Sequence, residues 1–124
     1  MPIEHVFSEP DRILEIRMTG EVTGAEYVDF YVQLARKHRE AGFFDEIIDL
    51  REYAGGVDNA ALKDLADRIK SGRPVTERPM TVFVTHDSRF DGWLAFIRAT
   101  FPFRRYDIAR TVEDAYRRVL AARV

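Results

Sequence analysis

Cysteine is absent from the chain, which removes disulfides, thiolate metal sites and cysteine nucleophiles at once. An excess of either charge is absent too. The 19 basic and 21 acidic side chains leave a formal charge of −2, so there is no basic face to invite nucleic acid. No apolar run is long enough to span a bilayer, and the first residues lack the basic-then-apolar order of a signal peptide. A cytoplasmic protein without a transmembrane segment is the expectation. The chain shows no internal repeat, linker or low-complexity tract. It lacks the G-x-G-x-x-G of dinucleotide sites, the G-K-[ST] ending of the P-loop, the G-x-S-x-G elbow and H-E-x-x-H. Its three histidines, His5, His38 and His86, stand far apart in the sequence, so neither metal nor cofactor is expected.

What remains is ordinary globular material. Hydrophobic residues make up 46% of the 124 positions and charged residues 32%, enough for one domain with its own core. Strand-like and helix-like periods alternate. Residues 5–7 and 13–18 read as a hairpin around the Glu9-Pro10-Asp11 turn. Thr23 and Glu26 form a capping box for a helix over 25–40, with Val28, Tyr31, Ala35 and His38 at helical spacing and Gly42 as its stop. Residues 47–50 are a short central strand covered on both faces. Asp58 or Asn59 caps a second helix with a Leu62, Leu65, Ala66, Ile69 stripe, ended by Gly72 and Pro74. Residues 80–85 are a strand; Trp93, Leu94, Phe96 and Ile97 mark a third helix closed by Pro102. Residues 106–109 are the last strand. Thr111 opens a final helix that turns Val112, Ala115, Tyr116, Val119 and Leu120 inward. The order ββαβαβαβα predicts a single α/β domain with a mixed, mostly parallel sheet.

Three places attract attention as candidate sites. In EIIDLREYAGGVDNAAL, residues 46–62, a strand runs into Gly55-Gly56 and then a helix start. That layout can capture phosphate on free N–H groups, but Asp58 already fills the capping role. His86, Asp87 and Ser88 follow the fourth strand, where open α/β sheets place ligands. A small enzyme using the three would need them to converge, which sequence neighbours rarely do; capping of the third helix by Asp87 or Ser88 is the plainer account. Arg98, Arg104, Arg105 and Arg110 interleave with Phe101, Phe103 and Tyr106, which reads as aromatics in the core and arginines in water rather than a base-stacking surface.

The element order, with ILEIRMTG (13–20), IIDL (47–50), VDNAAL (57–62) and TVEDA (111–115), resembles the STAS family, and within it the SpoIIAA-like branch of anti-sigma-factor antagonists. The resemblance spans nearly the whole chain and implies a STAS-like domain. In antagonists of this family the segment matching VDNAAL reads roughly aspartate-serine-serine-glycine, and a serine there is phosphorylated. Asp58 then matches the aspartate, Asn59 the first serine and Ala60 the phosphoacceptor, and alanine has no hydroxyl to modify. The resemblance therefore implies a non-catalytic module that binds a protein partner through Arg51, Glu52, Tyr53, Asp58, Asn59 and Lys63. Likeness to CRAL-TRIO lipid-transfer domains implies the alternative, a small carrier or sensor of apolar, lipid-like molecules, for which a cavity near Asp49, Asp58 and His86 is the place to look. A hairpin strand at the sheet edge also makes a homodimer feasible.

Overall fold

Alternation along ILEIRMTG sends Leu14, Ile16 and Met18 to one side of a strand and Ile13, Glu15 and Arg17 to the other. A computed structural model, which describes residues 2–8, 10–38, 44–68 and 78–123, shows what covers each side. The strands β1 (Ile3–Ser8), β2 (Ile13–Glu21), β3 (Asp45–Gly55), β4 (Met80–Val84) and β5 (Arg105–Ala109) form one sheet in the order β1-β2-β3-β4-β5. Only β1 and β2 run antiparallel; the other three pairings are parallel. Helices α1 (Gly24–Lys37), α2 (Asn59–Arg68) and α3 (Phe90–Thr100) supply the crossovers, and α4 (Val112–Ala121) ends the order. The sequence order ββαβαβαβα is the order of the structure.

The two faces are filled differently. Leu14, Ile16, Met18, Ile48 and Phe83 form one core with residues of α1, α2 and α3. Ile13, Ile47, Val82, Val84 and Ala109 form the other with Ala115 and Val119 of α4 alone. Because α4 buries mainly that i, i+4 ridge, Leu120 is turned off it and lies 45% exposed, not inward as its spacing suggests. The capping box of α1 is complete: Thr23 Oγ1 accepts the Glu26 N–H at 3.1 Å, and Glu26 accepts the Thr23 N–H at 3.0 Å. Gly24 lets α1 lie close to α2, since a Cβ there would stand 2.9 Å from Ala61 Cβ. Ala35, at helical spacing with the buried Val28, is exposed. The expected extension of α1 to residue 40, the Gly42 stop, Ile69 and the Gly72 and Pro74 stops lie outside the described residues.

At the amino-terminal ends of the strands, an arginine closes the first core. Arg104 was expected in water, yet its side chain is only 9% exposed. Its Nε donates to Thr81 Oγ1 at 2.7 Å, and a terminal nitrogen donates to the carbonyls of Phe44 at 2.7 Å and Met80 at 3.3 Å. Thr81 in turn donates to Glu46 at 2.8 Å, which lies 3.8 Å from the guanidinium. The forked N–H donors of one guanidinium let it reach the Thr81 hydroxyl and both carbonyls from a single side chain. The neighbouring aromatics divide: Phe101 is buried, while Phe103 is 40% exposed.

Candidate functional site

The opposite ends of the strands are arranged otherwise. β3 is longer than its apolar run predicts. It pairs with β4 only from Glu46 to Asp49, but stays paired with β2 as far as Gly55 opposite Glu21. Residues 50–55 therefore project past the end of β4. Register shifts on either side of Thr19 and Gly20 bend this two-stranded extension.

Gly55 and Gly56 then turn the chain back. Both have positive φ, +108° and +116°, where side-chain-bearing residues are strained. Gly56 has a second reason to be glycine: a Cβ there would fall 2.1 Å from the Val22 carbonyl oxygen. The Val22 N–H donates to the Gly55 carbonyl at 3.0 Å, fastening this turn to the start of α1. The Val57 N–H donates to the Tyr53 hydroxyl at 3.0 Å. Asp58 Oδ1 accepts the Ala61 N–H at 2.9 Å and so caps α2. The glycine pair serves backbone geometry, and the helix terminus behind it already carries Asp58 as its cap.

Between this overhang, the first turn of α1 and the first turns of α3 lies an open cleft of about 600 Å³. Met18, Ile48 and Phe83 of the sheet and Leu50, Phe90 and Ile97 give it an apolar lining. Phe83 and Phe90 meet with ring centroids 4.8 Å apart. Trp93, the only tryptophan, stands at the opening, 38% exposed. Tyr27 and Tyr53 bring phenols into the lining, and Thr85, Asp87 and Arg89 make a polar rim. Burial, reinforced by the Glu46 carboxylate, pushes the Tyr27 phenol far above its ordinary range. Burial also raises Tyr53, against the Val57 N–H that lowers it.

His86, Asp87 and Ser88 do not converge. The His86 imidazole Nε2 lies 2.9 Å from the Arg110 carbonyl, beyond the end of β5. Asp87 accepts two hydrogen bonds from the Arg89 guanidinium at 3.1 and 3.0 Å, which hold its carboxyl below the usual range. It also accepts the Arg89 N–H at 3.0 Å. That bond closes the turn before α3; the N-cap of α3 is Arg89, with no side-chain cap. Ser88 is exposed. Among the described residues, no hydrogen bond joins these three side chains.

The six residues expected to face a partner are split by the register shift of β3 between Asp49 and Glu52. Arg51 turns to the α4 side and grips Asp49, through its N–H at 3.1 Å and its guanidinium at 3.0 and 2.9 Å. Burial works against ionisation of Asp49, but the bonds from Arg51 outweigh it and the carboxyl is held below its ordinary value. Glu52 pairs with Arg17 at 2.5 Å in an exposed contact. Tyr53 points into the cleft, with Leu50. Asp58, Asn59 and Lys63 stand exposed at the start of α2, as does Ala60. Asp49, Asp58 and His86 are thus outside the cleft, while their neighbours Ile48, Leu50, Val57, Thr85 and Asp87 line it. Phe90 and the single tryptophan were the available signals for this site. Among the described residues no group of three or more histidine or acidic side chains is placed to hold a metal ion. No described helix is long and apolar enough to cross a membrane.

No family model matches the chain, and no curated protein matches it. Among solved structures, it is similar to an uncharacterised protein of the DUF3478 family from Shewanella loihica PV-4, described as having a SpoIIAA-like fold. The two share 21% sequence identity at a TM-score of 0.62, over 94% of this chain and 91% of that one. The fold of this chain is accordingly SpoIIAA-like, as the resemblance of its motifs implied.

Proposed function

We propose that this chain is a non-catalytic binding module that holds a small, largely apolar molecule in the cleft at the carboxyl ends of β3 and β4. The cleft carries the proposal. Its volume of about 600 Å³ falls in the range of pockets that enclose drug-sized ligands, on the order of 300–1,000 Å³. Its apolar lining with few polar groups is the composition such pockets have. Its place matches the rule for open α/β sheets, and the overshoot of β3 explains why space is left there. Trp93 at the opening supplies the test. Native mass spectrometry of gently purified protein should show a retained lipid-like mass, and titration with butylbenzene should change the Trp93 emission. Failure of both would remove the proposal.

A partner surface at the start of α2 is the second reading. Asn59, Ala60 and Lys63 are exposed there and directly follow Val57, which belongs to the cleft wall. A partner seated on them would contact the same loop that a ligand contacts. Replacing Asp58 and Asn59 by arginine should abolish capture of such a partner in a pull-down. Unchanged capture would move the interface elsewhere.

A further inference from the structure

Resting on the cleft as the binding site, the geometry points to Tyr27 as the group that selects the ligand: we infer that its phenol donates a hydrogen bond to a neutral oxygen acceptor, such as a ketone, ester or alcohol, at the leading end of an otherwise apolar molecule. The other polar side chains of the cleft each already take part in a hydrogen bond, although the Tyr53 and Thr85 hydroxyls only accept there and keep their own O–H. The Tyr53 hydroxyl accepts from Val57 N–H, Thr85 Oγ1 accepts from Asp87 N–H at 3.2 Å, and Asp87 and Arg89 hold each other. Tyr27 differs from them. It lines the cleft, and no hydrogen bond joins its hydroxyl to any described residue. No described side-chain oxygen is both sealed from solvent and unbonded, so the Tyr27 hydroxyl is left open, and the cleft is the space it borders.

Position then fixes the chemistry. The Tyr27 ring packs on the core and lies 5.0 Å from that of Tyr31, whereas Trp93 and Arg89 are exposed at the opening. Tyr27 is therefore at the inner end. A phenol that burial keeps protonated is a donor, and it asks for an acceptor. An anionic acceptor is disfavoured there, because an uncompensated charge is costly at the partly buried inner end of an apolar cleft. A carboxylate belongs at the rim instead, beside Arg89.

Three probes of one skeleton separate these statements: butylbenzene, 4-phenylbutan-2-one and 4-phenylbutanoate, each titrated by calorimetry and by Trp93 emission into the wild-type chain and Tyr27→Phe. The ketone should bind the wild type about fivefold more tightly than butylbenzene, the gain of one neutral hydrogen bond. Tyr27→Phe, which keeps the ring and its packing, should erase that advantage while leaving butylbenzene and 4-phenylbutanoate within about twofold. A ketone advantage that survives in Tyr27→Phe, or no advantage in the wild type, overturns the role of Tyr27 and leaves the cleft standing. Binding of none of the three overturns the cleft itself, and this inference with it.

Discussion

The two ends of one sheet have opposite constructions. At the amino-terminal end, Arg104 fills the space above Glu46 and Thr81, and its donors meet carbonyls of Phe44 and Met80. At the carboxyl-terminal end β3 outruns β4, a glycine turn holds the overhang away, and about 600 Å³ is left open among apolar side chains. Both ends are built on the same strands and the same core. On the proposed function, the difference separates stability from binding: buried charge must be fully bonded to be tolerated, whereas an apolar cleft can stay open because apolar side chains need no hydrogen-bond partners.

The largest test of this contrast is at the closed end. Arg104→Ala takes a donor from Thr81 Oγ1 and two backbone carbonyls and the ion-pair partner from Glu46 in a buried setting, and should cost about 3–5 kcal/mol in chemical denaturation. The folded fraction should still bind butylbenzene as the wild type does. Gly56→Ala tests what holds the cleft open. The new Cβ would overlap the Val22 carbonyl at φ +116°, so we expect a loss of about 3 kcal/mol and a weakened cleft. Gly55→Ala, with a similar φ but nothing within 4 Å of its Cβ, should cost only about 1 kcal/mol. Equal effects at the two glycines would show that contact with Val22 does not matter.

Asp49, where the shared β3–β4 ladder ends, gives a pH test. Its carboxyl is depressed in the folded chain, so the stability it adds is present above the ordinary carboxylate range, about pH 4, and disappears as pH falls through the folded value. Asp49→Asn should lose about 1–2 kcal/mol at neutral pH and show a shallower decline in denaturation midpoint between pH 4 and pH 2. An unchanged decline would mean that other carboxylates carry the acid sensitivity. The smallest effect belongs to the open end: Trp93→Ala, at a partly exposed position, should change stability by less than about 1 kcal/mol. A loss comparable to that of Arg104→Ala would erase the distinction between the ends.

Much of this fold was legible because its signals are local. The Thr23–Glu26 capping box, the alternation in 13–18 and the turn before β2 each depend on residues close in sequence. A break in that alternation after Asp49 hid the site. Asp49 and Arg51 looked like the chemistry of β3, but they point to the α4 face, and the residues between and beyond them, Leu50 and Tyr53, enter the cleft. The overshoot of β3 was invisible because Arg51, Glu52 and Tyr53 look like loop and become strand only through pairing with β2. Arg104 misled for a related reason: its partners come from β3, β4 and the residue before β3, up to 60 positions away. The glycine pair was seen, but its purpose depended on Val22, which no local pattern connects to it.

The central claim is that the carboxyl-terminal cleft takes up apolar molecules, and calorimetric titration of butylbenzene into the intact wild-type chain tests it most directly, with Trp93 emission followed in parallel. Saturable binding of one molecule per chain, with a change in Trp93 emission that tracks the heat, is the predicted result. Absence of saturable heat, or heat with no response from Trp93, would contradict it.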